Sequence, residues 1–239
     1  MTKQRLDAQL ATLGLVPTRS QGESVIKLGE VKVNGQVIRK PGHFVHPTDK
    51  IVLAKKDRYV SRAGLKLASV AQLLKLDFRG TTVLDVGSST GGFTDYALKH
   101  GAKKVFAVDV GTEQLHPSLR RDKRIELHEK TDIRDFVTPI APDIVVMDVS
   151  FISLREILPH ISTLSDEKTQ IVAMLKPQFE AGKSQVNKGV IKNDSVRRQI
   201  LKDFELWAKH YFVVIDKRDS DVAGAKGNQE RFYLLKTIK

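Results

Sequence analysis

The sequence predicts an α/β fold built on a mostly parallel sheet, with a smaller α+β domain in front of it. Two features of the chain lead to this prediction. Short apolar strands alternate with amphipathic helices from about residue 60 onward, and a glycine-rich turn follows the first of these strands. Alternation of this kind places a parallel sheet between two layers of helices.

The predicted sheet has seven strands, and helices connect most of them. The expected strands are 82–86, 105–109, 125–128, 144–148, 171–176, 211–216 and 231–236. The expected helices are 61–75, 92–99, 112–119, 153–164 and 194–209. Because no helix separates the last two strands, we expect these two to pair antiparallel.

The smaller domain is predicted to contain two helices and a small β unit. Leu6, Leu10 and Leu13 have helical spacing in the first helix, and the second is expected to begin at Pro17. Asn34-Gly35 tolerates the positive φ of a tight turn and predicts a hairpin. The predicted units are a domain at 1–56, a linker at 57–60 and a larger domain at 61–239.

The composition excludes several classes of protein. Cysteine is absent, which excludes disulfide frameworks and cysteine metal sites, and no metal site of another kind is predicted. The polar residues after Met1 do not resemble a signal peptide, and no apolar run reaches the ~20 residues that span a bilayer. We therefore expect a cytoplasmic protein without stable membrane association.

The charge of the chain indicates a polyanionic partner. The formal net charge is +12. Lys and Arg outnumber Asp and Glu by 11 to 5 in residues 1–60, so half of the excess lies in a quarter of the chain. Clustered cations supply the part of nucleic-acid affinity that does not depend on sequence. A basic but unspecialised surface is the alternative that charge alone leaves open.

A glycine-rich turn follows strand 82–86, where open α/β folds bind their ligands. It lacks the lysine of a phosphate-binding loop and the spacing of a dinucleotide loop. The charge of Asp85 would oppose a pyrophosphate and favours a cationic ligand, and S-adenosylmethionine carries a sulfonium and an ammonium group. Asp109, at the end of the second strand, is expected to accept hydrogen bonds from ribose hydroxyls. The alternative is a plain glycine turn with two solvated acids.

The predicted cofactor residues extend from this turn to the third strand. They are Asp85, Gly87, Ser88, Ser89, Thr90, Gly91, Gly92, Phe93, Asp109 and Asp132. Asp132 follows the third strand and can either reach the adenine amino group or cap a helix.

Two charged residues stand at the ends of apolar strands. Asp148 ends the fourth strand and Lys176 ends the fifth, and a charge at the end of a buried strand is costly unless it is paired. We expect the two to pair beside a methyl donor. A ribose hydroxyl is a poor nucleophile, so its methylation requires alignment and a basic group.

Lys66 and Glu230 are further candidates for this site. A lysine serves as a base only when burial or a second cation lowers its pKa, and Lys66 is a candidate for that cation. By spacing alone, a surface helix lysine and a strand-edge carboxylate remain the alternatives for these two residues.

Four motifs resemble those of the TlyA family, which is often labelled haemolysin-like and belongs to the FtsJ-type RNA 2′-O-methyltransferases. They are Tyr59 to Leu67, Leu84 to Asp95, Asp148 to Leu154 and Lys176 to Glu180. The resemblance covers nearly the whole chain. It implies a Rossmann-like S-adenosylmethionine methyltransferase fold and an enzyme that methylates cytidine riboses of ribosomal RNA or ribosomal subunits.

The resemblance also assigns roles to residues. The catalytic tetrad of the family falls on Lys66, Asp148, Lys176 and Glu230. It implies that Lys176 acts on the 2′-hydroxyl, that Asp148 and Lys66 tune it, and that Glu230 orients the hydroxyl or Lys66.

The first 60 residues resemble the small RNA-binding domain named after ribosomal small-subunit protein four. The matching stretches are Arg5 to Asp7, Thr18 to Ser20, Gly29 to Gly35 and Lys40 to Gly42. The resemblance implies that Arg5, Arg19, Lys27, Lys32 and Lys40 contact phosphates, which positions an RNA without reading its sequence. For each of them alone, a solvated side chain is the alternative.

Two other functions stay open from the sequence. One is an RNA-binding protein that holds the cofactor without turnover, and the other is a membrane-active haemolysin. The polar loop 178–192, directly after Lys176, is expected either to close over a substrate or simply to connect two elements.

Overall fold

A computed structural model describes most of the chain. The described residues are 3–16, 18–27, 29–53, 59–182, 185–186, 189–224 and 227–238. Pro17, positions 57 and 58 of the predicted linker, and parts of the loop 178–192 lie outside these ranges.

The amino-terminal domain consists of two helices and two small antiparallel sheets. Its elements are β1 (Gln4–Arg5), α1 (Leu6–Thr12), α2 (Arg19–Lys27), β2 (Val31–Val33), β3 (Gln36–Ile38), β4 (Phe44–Val45) and β5 (Ile51–Leu53). β2 lies between β3 and β5, while β1 pairs with β4. Asn34 and Gly35 adopt positive φ in the hairpin, as their sequence predicts.

The core of this domain differs at one residue from the expectation. It is made of Leu6, Leu10, Val16, Ile26, Val31, Val33 and Val45. Leu13 was expected on the apolar face of the first helix, but α1 ends at Thr12 and the Leu13 side chain is exposed. Helical spacing no longer determines the direction of a side chain once the helix has ended.

The second domain is an α/β sandwich around a seven-stranded sheet. Its strands are β6 (Thr82–Val86), β7 (Lys104–Val108), β8 (Ile125–His128), β9 (Ile144–Met147), β10 (Gln170–Leu175), β11 (Phe212–Asp219) and β12 (Arg231–Thr237). Its helices are α3 (Arg62–Ala71), α4 (Gly92–Lys99), α5 (Leu154–Leu164), α6 (Pro177–Glu180) and α7 (Asp194–Ala208).

The sheet order brings the predicted functional strands together. It is β11-β12-β10-β9-β6-β7-β8, and only β12 runs against the other strands. The central strands β6, β9 and β10 are buried at every residue except the first of β10, which explains why they are mostly apolar rather than alternating. One hydrophobic cluster covers each face of the sheet. The carboxyl ends of β6, β9 and β10 therefore lie side by side at one edge.

The helix that was expected at 112–119 does not form. This segment consists of turns, and Glu113 adopts a left-handed φ of 56°. Pro117 lacks an amide donor and disfavours helical backbone at the residue before it. Leu115 and Leu119 are nevertheless buried. The predicted helix is therefore wrong, although the segment contributes these two leucines to the core.

Candidate active site

The glycine loop between β6 and α4 is held by backbone conformations that favour glycine. Gly87 and Gly91 have φ of 76° and 88°. The carboxylate of Asp109 accepts hydrogen bonds from the Ser89 amide at 2.8 Å and from the Gly111 amide at 2.7 Å. Asp109 therefore ties the glycine loop to the end of β7, and each of its oxygens keeps a lone pair for a further donor.

Close packing joins the glycine loop to α3. A side chain at Gly92 would collide with Ser61 and Ala63, and a β-carbon at Gly64 would lie 2.9 Å from the Gly92 carbonyl oxygen. The two helices approach closely because both positions lack side chains. This contact fixes α3, and with it Lys66, against the loop.

Asp85 is a buried carboxylate with one oxygen left open. Its Oδ2 accepts from the Thr94 amide at 2.8 Å and from the Thr94 hydroxyl at 2.6 Å, while Oδ1 has no hydrogen-bond partner. Burial raises its pKa to about 7. The hydroxyl of Ser88 is also buried without a partner. A ligand that carries a cation and hydrogen-bond donors would satisfy these atoms, so the site fits S-adenosylmethionine.

Two cavities meet at the glycine loop. The smaller, of about 160 Å³, is lined by residues that include Asp85, Ser88, Thr90, Phe93 and Lys176. The larger, of about 370 Å³, lies on the side of Asp109 and Asp132. Four residues line both, namely Gly87, Ser89, Asp148 and Ser150. A ligand with an amino-acid end and a nucleoside end can therefore extend from one cavity into the other.

Three of the predicted cofactor residues have structural contacts of their own. Asp132 caps the short 3-10 turn Ile133–Asp135 by accepting from the Arg134 amide, although it also lines the larger cavity. Hydrogen bonds from Arg134 lower the pKa of Asp132 to about 2. Gly91 and Gly92 line neither cavity and instead face Leu115 and the start of α3.

Asp148 and Lys176 form the ion pair that their strand ends predict. The Lys176 Nζ lies 2.6 Å from Asp148 Oδ1. β9 and β10 are adjacent and parallel, so the two residues that follow them emerge together. The side chain of Lys176 is 10% exposed and that of Asp148 is 15% exposed. The pair borders the small cavity beside the glycine loop.

Lys66 and Glu230 form a second ion pair, with 2.6 Å between Lys66 Nζ and Glu230 Oε2. Their side chains are 10% and 3% exposed, so neither is the surface residue of the alternative interpretation. Burial raises the pKa of Glu230 even though Lys66 opposes this shift. Asp148 and Lys176 also influence Glu230, so the four charges form one electrostatic group.

A third cavity, of about 420 Å³, opens on the outer side of this group. Lys66, Lys176 and Glu230 line it together with the aromatic pair Phe151 and Phe179, whose ring centroids are 5.2 Å apart. Because Lys176 lines both this cavity and the small one, its amine lies between the cofactor side and an open space. That space is large enough for a nucleoside.

The sequence analysis missed two residues of this site. The Ser150 hydroxyl lies 2.7 Å from Lys176 Nζ. The carboxylate of Glu180 accepts from the Ser153 hydroxyl at 2.6 Å and from the Leu154 amide at 2.7 Å, which joins the start of α5 to the segment after β10. Ser150 stands two residues after Asp148, a spacing that puts side chains on the same side of an extended chain, and this signal was available in the sequence.

The predicted RNA contacts of the amino-terminal domain fall into two sets. Arg5 and Arg19 both bind the carboxylate of the buried Asp7, at 2.6 Å and 3.2 Å. The side chains of these arginines are 42% and 55% exposed. Lys27, Lys32 and Lys40 are exposed. All five thus reach the surface of this domain.

Comparison with known protein families agrees with both domains. The model of the FtsJ-like methyltransferase family matches residues 59–237. The model of the S4 domain matches residues 4–51. The two matches leave residues 52–58 between them.

Individual proteins match along nearly the whole chain. The 16S/23S rRNA (cytidine-2′-O)-methyltransferase TlyA of Mycobacterium tuberculosis is 37% identical over 98% of this chain and 90% of its own. A protein of Brachyspira hyodysenteriae named hemolysin A is 38% identical over 95% of this chain and 97% of its own. A structure from Streptococcus thermophilus that carries a hemolysin name superposes with a TM-score of 0.74 at 36% identity, covering 100% of this chain and 90% of the other.

The hemolysin names raise the question of membrane insertion. Among the parts of the chain that the structure describes, no helix has the length and apolar character needed to cross a bilayer.

Proposed function

Because the chain belongs to the TlyA group of FtsJ-like methyltransferases, we propose that it transfers a methyl group from S-adenosylmethionine to the 2′-hydroxyl of a cytidine in ribosomal RNA. One observation carries the proposal. Lys176, paired with Asp148, borders the small cavity at the glycine loop and shares an open cavity lined by aromatic residues with the Lys66–Glu230 pair.

The residues around the glycine loop support the assignment of S-adenosylmethionine as the cofactor. Asp85 would hold the ammonium group, and Asp109 would accept from the ribose hydroxyls. Asp132 lines the nucleoside side and is proposed as the contact of the adenine amino group. When bound, the cofactor supplies a methyl group on a sulfonium, which an oxygen nucleophile can displace.

The tetrad supports the role of a base at Lys176. Its amine is held by Asp148 and faces the open cavity, where it can take the proton of a 2′-hydroxyl. The Lys66–Glu230 pair lines the same cavity. We assign to Lys66 the electrostatic tuning of the site, and to Glu230 the positioning of Lys66 and of the hydroxyl.

The amino-terminal domain is proposed to bring the RNA to this site. Its exposed cations Arg5, Arg19, Lys27, Lys32 and Lys40 would bind phosphates. In this arrangement residues 1–56 bind RNA, 57–60 form the linker and 61–239 carry the catalysis. In this proposal the protein is cytoplasmic, and its substrate there is ribosomal RNA.

A direct test uses labelled S-adenosylmethionine with purified small and large ribosomal subunits that lack ribose methylation. We expect label on one or a few cytidines, with the methyl group mapped to the ribose 2′-oxygen. Label on a base, or no label on either subunit, would contradict the proposal.

The same preparation separates the other interpretations. A binding protein without turnover would retain RNA and S-adenosylmethionine but transfer no label. A membrane-active protein would release dye from vesicles that contain anionic lipid, and this release would not depend on Lys176. We expect transfer of label and no release.

A further inference from the structure

Among the residues that the structure describes, two polar side chains contact the Lys176 amine, and both come from one segment. Asp148 Oδ1 lies 2.6 Å from its Nζ, and Ser150 Oγ lies 2.7 Å from it. The Ser150 contact is charge-assisted while the amine carries its proton. The segment directly after β9 thus contacts the amine through a carboxylate and a hydroxyl.

Ser150 has a position that no other described residue shares. It lines both cavities at the glycine loop and also the third cavity on the outer side of the tetrad. Lys176 is nearly buried, whereas Ser150 is exposed to these spaces. The hydroxyl therefore stands at the meeting point of the cofactor side and the substrate side.

The backbone after Ser150 is strained in a way that fixes this position. Phe151 adopts a left-handed φ of 66°, which is rare for an aromatic residue, and its side chain is 90% exposed. Such a conformation persists only when its surroundings hold it, and it occurs most often at functional sites. The turn directs Ser150 to the amine and Phe151 to the mouth of the third cavity.

We propose that Ser150 is a positioning residue that orients the amine of Lys176 for the target hydroxyl. A neutral amine has two N–H groups and one lone pair. If one N–H group donates to Ser150 Oγ while the nitrogen stays 2.6 Å from Asp148 Oδ1, the lone pair is left to point away from both and to receive the proton of the 2′-hydroxyl. Ser150 itself neither forms nor breaks a covalent bond. The inference rests on the proposed function.

The test compares Ser150→Ala with Ser150→Thr, which keeps the hydroxyl. For Ser150→Ala we expect kcat to fall about 10- to 100-fold, because a misaligned reacting group loses rate of this order. The KM for RNA and the Kd for S-adenosylmethionine should stay within about twofold, and Ser150→Thr should recover most of the rate. Ser69→Ala is the matched control, since the Ser69 hydroxyl contacts the Lys66 carbonyl and not an amine. It should change nothing.

Two kinetic outcomes would overturn the assignment. One is an unchanged kcat in Ser150→Ala. The other is a loss that appears equally in KM and in cofactor binding and that threonine does not recover, because this pattern would mean a structural role or a substrate contact.

A second measurement does not depend on activity. Trace labelling with acetic anhydride, read by mass spectrometry, reports the reactivity of each lysine in the intact protein. Loss of the Ser150 contact should raise the acetylation rate of Lys176 at least about twofold relative to that of Lys104. The Lys104 ammonium is a suitable reference because it pairs with Glu126 on the neighbouring strand. An unchanged rate would mean that the contact does not hold the amine. If the wild-type protein methylates neither subunit, the proposed function fails, while this labelling still tests the contact.

Discussion

The two domains hold their charges in opposite ways. In the amino-terminal domain the buried carboxylate of Asp7 binds two arginines whose side chains stay about half exposed. In the larger domain both members of the Lys66–Glu230 pair are withdrawn from water. Exposed cations attract a polyanion from any direction, whereas buried pairs keep one geometry. The exposed cations suit the proposed binding of RNA, and the buried pairs suit the proposed alignment of the reacting groups.

We expect the largest effect on the rate of methyl transfer at Lys176, the proposed base. Lys176→Ala removes the proposed base, and we expect kcat for methyl transfer to fall about 10²- to 10⁴-fold. The Kd values for RNA and S-adenosylmethionine should change by no more than a few-fold, as measured by filter binding and calorimetry. Lys104→Ala is the control, because Lys104 begins β7 at the edge opposite the site. A similar loss in the control would remove the distinction between alignment and general charge.

The two kinds of ion pair should also differ in stability. Glu230→Ala leaves the Lys66 ammonium buried without its partner, and we expect the free energy of unfolding to fall by about 3–5 kcal/mol. Trp207, the single tryptophan, reports unfolding of this domain in urea. Glu230→Gln keeps the shape and isolates the charge.

The matching change in the other domain is Asp7→Ala. Its arginines can regain water, so we expect a smaller loss of about 1–3 kcal/mol, measured by hydrogen exchange in α1. Equal losses of unfolding free energy in the two domains would contradict the expected difference between the buried pair and the half-exposed arginines.

We expect the stability of the larger domain to depend on pH through Asp85, the buried acid of β6 beside the glycine loop. The folded-state pKa of Asp85 is raised to about 7 from 3.8, so its contribution to stability is lost as the pH rises from about 4 to about 7. A cationic ligand favours the ionised form. Its affinity should therefore increase about tenfold between pH 6 and pH 8 and then level off.

Calorimetry with S-adenosylmethionine in buffers of different ionisation heat measures this coupling, and binding at pH 6 should release a proton. Asp85→Asn should bind more weakly and show no such dependence. Affinity that falls as the pH rises would contradict the assignment of Asp85 to the cation.

The exposed lysines should give the smallest effect for each residue. Lys27→Ala, Lys32→Ala and Lys40→Ala should each weaken RNA binding a few-fold at moderate salt. Each should also lower the slope of log affinity against log salt by about 0.7–0.9, and by similar amounts for RNAs of different sequence. A loss confined to one RNA sequence would show base recognition instead of phosphate contact.

Much of the larger domain could be predicted because its signals are local. The bounds of β6 and α4 agree with the sequence analysis, since an apolar strand, a glycine turn and a helix follow one another without a break, and the bounds of β8 agree as well. The antiparallel β11 and β12 were also predicted correctly. The expected helix at 112–119 was wrong because the segment forms turns that bury their apolar residues. The spacing of apolar residues alone does not distinguish such turns from a helix.

The sequence by itself determined which chemical groups stand at the ends of the strands. Asp85, Asp148 and Lys176 follow or interrupt apolar runs, and these positions alone indicate a ligand site. Only the tertiary structure decided which charged side chains pair and which buried polar atoms have no hydrogen-bond partner. Lys66 meets Glu230 from the opposite end of the domain's sequence because α3 packs against the glycine loop and β12 inserts beside β10. Contacts of this range depend on the order of the strands and on the packing of helices, which no local pattern of residues specifies.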